Sequence, residues 1–475
     1  MRRLVTIVLV FAVVCAGILL LGVAKPSDIN SHDYTIYRLS TGETVAVNMD
    51  TSQIEISGTI AGEVIQQAID SSNNGTIWIE AGNYDVQSTI HTSGASIRGM
   101  GNSSNLIAHR GLNEAVIMIS TDPDGARPSG ITISDLQIDG NRTNQSYGDT
   151  IRGISFLDAV DCVVENVYIH DIISGQGVYM ANSQHCTVRD SWIRDIGDNR
   201  GSGKLGNYGS GIAFGEQRTT ASSDILIDNC SIAACSMSSI DLEPANHVTI
   251  SNCRFTEART WQNVPNPVIT SYPISGYAPN EGIVITHNTM EGAFGEFVYL
   301  SESSNSIISQ NWLRYTASYG AAIYCTDTTS CQITENNIGT LSQTAFAGVN
   351  CNLFNISNNT VADMTGSRSN YGIIVSASGG TSTHNIIEGN TVIGWAYGIT
   401  ANQGSQDTTI TNNVFHNCTV GTLVTGSSQM YGNVYNGARA SPMNDVPALL
   451  IGVVALLAAA MIAFIVVVRR KWKGV

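Results

Sequence analysis

The chain has little charge, and basic side chains are especially scarce. Charged residues make up 13 % of the 475 residues, and 38 acidic side chains outnumber 23 basic ones. The resulting net charge of −15 argues against nucleic acid as a partner, because phosphate binding needs clustered Lys and Arg. It also argues against an acidic polysaccharide, unless a bound divalent cation such as Ca²⁺ neutralises the sugar locally.

Signatures of several enzyme classes are absent. The 10 cysteines show no Cys-x-x-Cys or Cys/His spacing that would indicate zinc. There is no Gly-x-Ser-x-Gly elbow and no Walker sequence. Gly201-x-Gly203-x-x-Gly206 has the spacing of a dinucleotide loop, but no helix pattern follows, so it indicates an ordinary loop. The sequence therefore predicts no metal site and no cofactor beyond Ca²⁺.

Two apolar segments lie at the ends of the chain. Residues 1–24 have a basic start, an apolar run and a small-residue end, typical of a secretory signal or an N-terminal anchor. Residues 446–468 are apolar throughout, and the basic tail 469–475 follows them. About 20 apolar residues cross a bilayer as a helix, and flanking Lys and Arg stay on the cytoplasmic side. The sequence therefore predicts a single-pass cell-surface protein with a cytoplasmic C-terminus.

A repeat of the form apolar-x-x-Asn-x-apolar runs through the second half of the chain. Its Asn residues are 23, 25, 23, 31 and 23 positions apart, and Cys253, Cys230 and Ser191 continue the frame upstream. A second short β-patterned segment follows each copy, usually after Gly, as in Gly372-Ile373. The repeated Asn residues are Asn288, Asn311, Asn336, Asn359, Asn390 and Asn413.

A unit of this length cannot close a core alone, but it can form one coil of a stack whose strands pair in parallel about 4.8 Å apart. Each recurring Asn then lies at the same corner, where stacked amides hydrogen-bond along the stack. A leucine-rich repeat is the alternative, since residues 283–290 fit its strand-plus-Asn pattern. That fold needs a convex segment with leucines, whereas here a second β-branched strand follows. The sequence predicts an all-β solenoid of about eleven coils.

Residues 58–435 resemble the right-handed parallel β-helix proteins of the pectate-lyase-like group. Residues 63–70 have apolar side chains at helical spacing, as the capping helix of that group does, and residues 75–84 and 96–101 are similar to its first strands. The resemblance implies the fold, with residues 25–57 as a β leader and 436–445 as a linker to the membrane segment. The motif sets of polygalacturonases, mannuronan epimerases and uronate lyases are not matched, so no catalytic residue carries over.

Nine cysteines and eight Asn-x-Ser/Thr signals lie in the region predicted to be outside the cell. Cysteines at equivalent positions of adjacent coils are within disulfide reach, or they form a ladder of reduced thiols in the core, which we favour slightly. Asn229 is expected to lie inside the ladder, inaccessible to glycosylation, whereas Asn141 and Asn144 are better candidates. The pairs expected to be equivalent are Cys162 with Cys186, Cys230 with Cys253, and Cys325 with Cys351.

One short coil carries outward carboxylates between two long insertions, residues 197–210 and 257–282. In a strand, Ile240 and Leu242 point inward, so Asp241 and Glu243 point outward. The sequence thus predicts a trough with carboxylates at its base and walls formed by the insertions. Expected along the same outward row are Tyr179, Tyr299 and Tyr324, and on the walls Lys204, Tyr208, Arg259 and Trp261.

Such a trough suits a sugar polymer, because aromatic faces stack on sugar rings and carboxylates bind hydroxyls. Asp241, Glu243 and Asp198 are the candidate acid and base for glycoside cleavage, and Asp195 or His170-Asp171 is a further source of the second group. Outward Asp and Glu are equally common as solvated surface residues. The first hypothesis is therefore a glycan-binding protein that also cleaves polysaccharide, as a hydrolase or lyase. The alternative is a non-catalytic envelope or adhesion protein.

Overall fold

The computed structural model describes residues 33–440, except for a set of short internal segments. The predicted signal segment 1–24 and the predicted membrane segment 446–468 lie outside this part of the chain. Within the described residues, no helix is both long and apolar enough to span a bilayer. The internal segments that are not described are 122–124, 147–149, 198–208, 216–219, 258–259, 262–263, 293–294, 316–319, 341–343, 367–369, 403 and 426.

The N-terminal part consists of three antiparallel strands and one helix. Strands Tyr34–Arg38, Thr44–Asn48 and Gln53–Gly58 form a meander, and the first of them also pairs in parallel with Thr76–Ile79. The helix Ala61–Ser71 buries its apolar face against the two later strands of the meander and against the first coil. The helix predicted at residues 63–70 is therefore present, because its apolar positions recur at helical spacing.

The rest of the described chain winds through coils that contribute to two parallel sheets. The first sheet includes the meander and has 29 strands among the described residues. Among the described residues the coil strands pair in parallel, and no helices form the convex layer of a leucine-rich repeat. This confirms the predicted solenoid. Its strands are Tyr34–Arg38, Thr44–Asn48, Gln53–Gly58, Thr76–Ile79, Gly82–Val86, Ser96–Arg98, Ser104–Ala108, Thr132–Asp139, Val163–Ile172, Thr187–Arg189, Trp192–Ile196, Ser222–Asp228, Ser231–Ala233, Ala245–Ser251, Arg254–Thr256, Val284–Thr286, Thr289–Glu291, Ile307–Ser309, Trp312–Tyr315, Gln332–Thr334, Asn337–Thr340, Asn355–Ser357, Thr360–Asp363, Ile386–Glu388, Thr391–Ile393, Thr409–Thr411, Val414–His416, Gln429–Tyr431 and Val434–Asn436.

The second sheet is entirely parallel and has 14 strands in the described part of the chain. The sequence predicted about eleven coils, each with one strand in this sheet. The sheet has more strands because the first strands and the last one lie outside the run of clear repeats. Its strands are Ile90–Thr92, Ala115–Ile119, Ile151–Leu157, Gly175–Ala181, Gly209–Phe214, Ile240–Asp241, Ile269–Ser271, Val298–Ser301, Ala321–Thr326, Thr344–Val349, Tyr371–Ser376, Tyr397–Ala401, Val420–Val424 and Arg439–Ala440.

Small elements occupy some of the turns. Thr260–Trp261 pairs antiparallel with Val264–Pro265, and Ser382–Thr383 pairs in parallel with Ser405–Gln406. Two short 3₁₀ turns are Gly101–Ser103 and Arg142–Asn144.

The predicted Asn ladder is present and buried in the interior. Asn336 shows its pattern: the side-chain Nδ2 donates to Asn359 Oδ1 at 3.0 Å and to the carbonyl of Ile308 at 2.8 Å. Its Oδ1 accepts from the backbone N–H and the Nδ2 of Asn311, at 3.1 and 2.9 Å. The same amide-to-amide bond links every neighbouring pair from Asn288 onward, and Asn433 is a further member that the repeat frame missed. The ladder satisfies amides that burial would otherwise penalise.

The strand register corrects one expected cysteine pair. Cys162 with Cys186 and Cys230 with Cys253 are equivalent, since the residues that follow them pair directly. Cys325 instead pairs with Gly348, so its equivalence with Cys351 is wrong. The frame slipped there because Gly348 lies three residues beyond the Gly position of other coils. All nine described cysteines are buried thiols, and burial raises the pKa of Cys331 to about 11.

A corner of left-handed residues corrects the expectation for Asn229. This residue is exposed, with φ 49°, and the next residue, Cys230, is the one buried in the ladder. Left-handed backbone directs the side chain away from the core, and Asn tolerates it better than most residues. The expected burial of the Asn229 amide is therefore wrong.

Candidate functional site

Asp241 lies on the outer face of the second sheet, in a column that runs the length of that sheet. The strand register connects Asp241 to Ala213 and Tyr179 on one side, and to Thr270, Tyr299 and Tyr324 on the other. The strands therefore bring the predicted tyrosines into the same outward row as Asp241. Because neighbouring strands are about 4.8 Å apart, Asp241 and Tyr299 are about 10 Å apart along the column.

The three tyrosines of this row are buried, although they point away from the core. Tyr179, Tyr299 and Tyr324 are 6 %, 6 % and 4 % exposed. Tyr299 is covered on both faces, by Tyr272 at 4.8 Å and by Tyr324 at 5.3 Å between ring centroids. The guanidinium of Arg152 lies 4.0 Å from the ring centre of Tyr179. These rings are packed against neighbours, so they do not offer the free stacking faces that the predicted trough required.

Asp241 and Glu243 are positioned by a very short strand. Ile240 and Leu242 are buried, and the two acidic residues beside them are partly exposed, as strand alternation predicts. Thr270 Oγ1 donates to Asp241 Oδ1 at 3.1 Å from the next coil. The hydroxyl donor stabilises the ionised form of this carboxylate and fixes its orientation.

Glu296 is a third carboxyl group at this place, and the sequence had not singled it out. It lies two residues before strand Val298–Ser301, and its backbone carbonyl accepts from the N–H of Val268 at 2.8 Å. Its carboxyl lies against the backbone of Gly320, where a side chain would collide with it. Desolvation raises the pKa of this carboxyl from its ordinary 4.5 to about 7, although a hydrogen bond with its own backbone opposes the shift.

Tyrosine hydroxyls complete the group of polar atoms. Burial raises the pKa of Tyr272 well above its usual range, and the charges of Tyr299, Glu296, Glu243 and Asp241 add to the effect. The Tyr324 hydroxyl is buried and has no hydrogen-bond partner among the described residues. A buried hydroxyl without a partner costs free energy. We call the six residues Asp241, Glu243, Glu296, Tyr272, Tyr299 and Tyr324 the carboxylate–tyrosine cluster.

The predicted walls of the trough are only partly described. Asp198, Lys204, Tyr208 and Arg259 lie outside the described residues, and so does the side chain of Trp261, whose backbone belongs to the short pair Thr260–Trp261 and Val264–Pro265. Residues 257–282 do not form a single insertion, because strand Ile269–Ser271 of the second sheet lies within them. The frame missed this strand because no Gly precedes it.

The other expected sources of a second acid lie on the first sheet. Asp195 is held by Arg194 Nε at 2.7 Å, and His170 Nδ1 lies 2.8 Å from Asp171 Oδ2. His170 and Asp171 belong to Val163–Ile172, and Asp195 to Trp192–Ile196. They therefore do not join Asp241 on the second sheet, where Glu296 is instead the further acid near Tyr272.

The described residues contain one group with metal-ligand spacing, and it lies outside the cluster. Ligand atoms of Asp139, His170 and Asp171 are all within 4.8 Å of one another. Both imidazole nitrogens already have partners there, since His170 Nε2 is 3.0 Å from Gln137 Nε2. The mostly buried guanidinium of Arg142 lies 3.8 Å from Asp171. That cation disfavours a metal ion, so we interpret the group as a hydrogen-bonded ion-pair network.

The carboxylate–tyrosine cluster has the groups needed for acid–base chemistry. One carboxyl holds its proton up to about neutral pH, and a second accepts a hydrogen bond from a hydroxyl. Pairs of carboxyl groups in different protonation states are the usual arrangement for glycoside hydrolysis. Glu296 could have been found from the sequence only by noticing a Glu that directly precedes the apolar run Phe297 to Leu300.

Comparison with protein families supports the right-handed β-helix fold. The family model described as "Right handed beta helix region" matches residues 204–351 and 278–436. No curated protein sequence matches the chain.

Solved structures similar to this chain come from proteins with different activities. The A-module of mannuronan C-5 epimerase AlgE6 from Azotobacter vinelandii is 16 % identical, with a TM-score of 0.49 over 80 % of this chain and 95 % of that one. DFA-IIIase from Arthrobacter chlorophenolicus A6 is 13 % identical, with a TM-score of 0.48 over 74 % and 91 %. PfbA, a surface adhesin of Streptococcus pneumoniae, is 14 % identical, with a TM-score of 0.42 over 81 % and 92 %. At these identities and TM-scores, the likenesses carry no information on chemistry.

Proposed function

Because the chain is a right-handed parallel β-helix protein, we propose that it binds a polysaccharide at the carboxylate–tyrosine cluster and cleaves it by acid–base catalysis. The observation that carries this proposal is Glu296, a partly buried carboxyl whose pKa is raised to about 7 and which lies near Tyr272, as Asp241 and Glu243 do. Structural acidic residues on a surface gain nothing from such burial, whereas a general acid at neutral pH requires it.

The roles follow from the protonation states. Glu296 donates its proton to the glycosidic oxygen as the bond to the leaving sugar breaks. Asp241, oriented by Thr270 Oγ1, acts on the other side of the sugar as the negative partner of the cationic transition state or as the base for water. Glu243 binds sugar hydroxyls.

The substrate is a neutral glycan. Three carboxyl groups converge on Tyr272, and the whole chain has a net charge of −15, so an acidic polymer would be repelled. The described carboxylates of the cluster are also absent from the groups with metal-ligand spacing, so Ca²⁺ has no evident site there to neutralise an acidic sugar.

We also place the protein at the cell surface, on the evidence of the sequence. The apolar segment 446–468 with its basic tail 469–475 would anchor the β-helix outside the cell, after export directed by residues 1–24. Protease added to intact cells should remove an epitope tag inserted in the described part of the chain and leave a C-terminal tag protected. Protection of both tags would contradict this orientation.

The test of function uses the full-length protein with a panel of neutral and acidic polysaccharides, and new reducing ends and unsaturated products are measured by mass spectrometry. Asp241→Asn, Glu243→Gln and Glu296→Gln are compared with Glu388→Gln, an exposed glutamate on the first sheet. Loss of product in the Glu296 variant but not in Glu388→Gln supports the proposal. Product from all variants would place catalysis elsewhere.

The same experiment separates the alternative of a non-catalytic envelope or adhesion protein. That alternative predicts glycan binding without product from the wild type, and binding that survives in Asp241→Asn. Binding that is lost in the same variant, again without product, would retain the cluster as a binding site and remove the catalytic step.

A further inference from the structure

A second candidate site lies on the outer face of the first sheet, around Trp192. This indole is 61 % exposed, more than any other large hydrophobic side chain among the described residues. A tryptophan in this position gives up most of the stabilisation that burial of a large apolar side chain provides. Exposed aromatic side chains of this kind are enriched where a ligand covers them.

The strand register creates a notch beside the indole. Tyr168, Trp192, Ser231 and Arg254 occupy one outward column on four successive coils. Tyr168 covers the indole on one side in an edge-to-face contact, with centroids 6.1 Å apart. On the other side the small Ser231 leaves a gap, and Arg254 is two strand spacings, about 10 Å, from Trp192.

This gap is a cavity of ≈ 190 Å³. Pockets for drug-sized ligands have volumes of about 300–1,000 Å³, so the notch has room for a single ring rather than an oligomer. Its lining residues are Asp190, Trp192, Asn229, Cys230, Ser231, Asn252 and Arg254.

The rim of the notch is formed by polar side chains from the left-handed corner. Asp190, Asn229 and Asn252 have φ of 52°, 49° and 53°, so the corner points their side chains outward on three successive coils. Asn229 Nδ2 donates to Asp190 Oδ1 at 2.6 Å, which orients both side chains. Asn252 Nδ2 donates to Asp228 Oδ1 at 2.7 Å, so the rim offers the side-chain carbonyls of Asn229 and Asn252 and the Asp190 carboxylate as acceptors. Acceptors of this kind match the hydroxyl donors of a sugar.

The chemistry of the notch favours a neutral ligand. Arg254 is the cation of the lining, and its guanidinium is already paired with Glu291 at 3.5 Å. Asp190 adds a negative charge on the rim, and Arg189, 4.0 Å from this carboxylate, is itself paired with Glu165. An anionic sugar would therefore meet a carboxylate without an unpaired cation to offset it.

We propose that this notch is a non-catalytic binding site for one neutral sugar ring of a polysaccharide, stacked on Trp192 and hydrogen-bonded by Asp190, Asn229 and Asn252. None of its residues belongs to the carboxylate–tyrosine cluster, and the two sites lie on different sheets. The site tethers a polymer to the protein independently of any cleavage.

The test measures binding of dextran, mannan, maltohexaose and cellohexaose, with polygalacturonate and alginate as acidic probes, to the full-length protein. The protein is made in a host without N-glycosylation, so that the signal at Asn229 stays unmodified. Trp192→Ala is expected to weaken binding of a neutral probe by about tenfold or more, as loss of an aromatic anchor does. Trp192→Phe, which keeps a stacking face, should restore part of it.

Trp312→Ala is the matched control. Trp312 occupies the same outward column, and Arg314 covers it at 4.7 Å from the ring centre, so its loss should leave binding unchanged. Equal effects of the two alanine variants would overturn the proposal, and so would binding of acidic probes alone or of no probe. In Glu296→Gln the Trp192-dependent binding should persist. If product formation depends on Glu296 while Trp192→Ala binds the neutral probes normally, the result supports the proposed function and refutes the site at Trp192.

Discussion

The buried carboxyl of Glu296 makes the stability of the fold depend on pH in a specific way. Its pKa is about 7 in the folded protein and its ordinary value is 4.5. Because the pKa is higher in the folded protein than in the unfolded chain, folding favours the protonated carboxyl. The stability that the protonated carboxyl gives the fold, relative to the ionised one, is complete at pH values below the unfolded pKa. The contribution is then lost as pH rises from about 4.5 to about 7. At 1.36 kcal/mol for each pKa unit, the loss is about 3 kcal/mol.

Replacing Glu296 by Gln removes this ionisation while keeping the shape of the side chain. We expect Glu296→Gln to be about as stable as the wild type near pH 4 and about 3 kcal/mol more stable near pH 8. Denaturant unfolding at a series of pH values measures the difference, and Glu388→Gln, whose side chain is exposed, should track the wild type throughout. The infrared carbonyl band of a protonated carboxyl, present in the wild type at pH 6 and absent from Glu296→Gln, provides a direct check. Parallel stability profiles of the two proteins would refute the reasoning.

Other features give predictions of known direction. Asn336→Ala removes four hydrogen bonds worth about 1 kcal/mol each, so it should cost about 4 kcal/mol in denaturant unfolding. Asn433→Ala, at the partly exposed end of the ladder, should cost about 1 kcal/mol because water replaces its partners, and equal costs would argue against ladder coupling. Tyr324→Phe should raise stability by about 1 kcal/mol, since it removes a buried hydroxyl that has no described partner. Thiol alkylation without reductant should label the nine described cysteines only after unfolding, and fewer than nine labels then would reveal disulfides.

The regular part of the fold could be predicted from the sequence because one residue type repeats for one physical reason. A buried Asn in every coil satisfies its neighbours above and below, so its recurrence indicated both the stack and the corner. The same alternation correctly placed Asp241 outward and in one row with Tyr299. These features depend on local spacing alone.

Features that depend on packing between coils were not predictable. Whether Tyr299 is a free platform is decided by Tyr272 and Tyr324, whose rings cover it from other coils. Glu296 looks like any other acidic residue in the sequence, and only the surroundings of its carboxyl make it unusual. Asn229 was misplaced because a shift of one residue separates the buried position from the exposed corner.

The register of the coils also bears on how such a protein changes by gene duplication. Each coil forms hydrogen bonds with the next at the same register positions. An in-frame gain of one unit of about 23 residues would therefore leave both parallel sheets continuous. The notch extends from Asp190 to Arg254 and the cluster from Asp241 to Tyr324, so a unit gained after Tyr324 would lengthen the stack without altering either site. The length of the stack is therefore a heritable quantity that changes in fixed steps, while the geometry of both sites is retained.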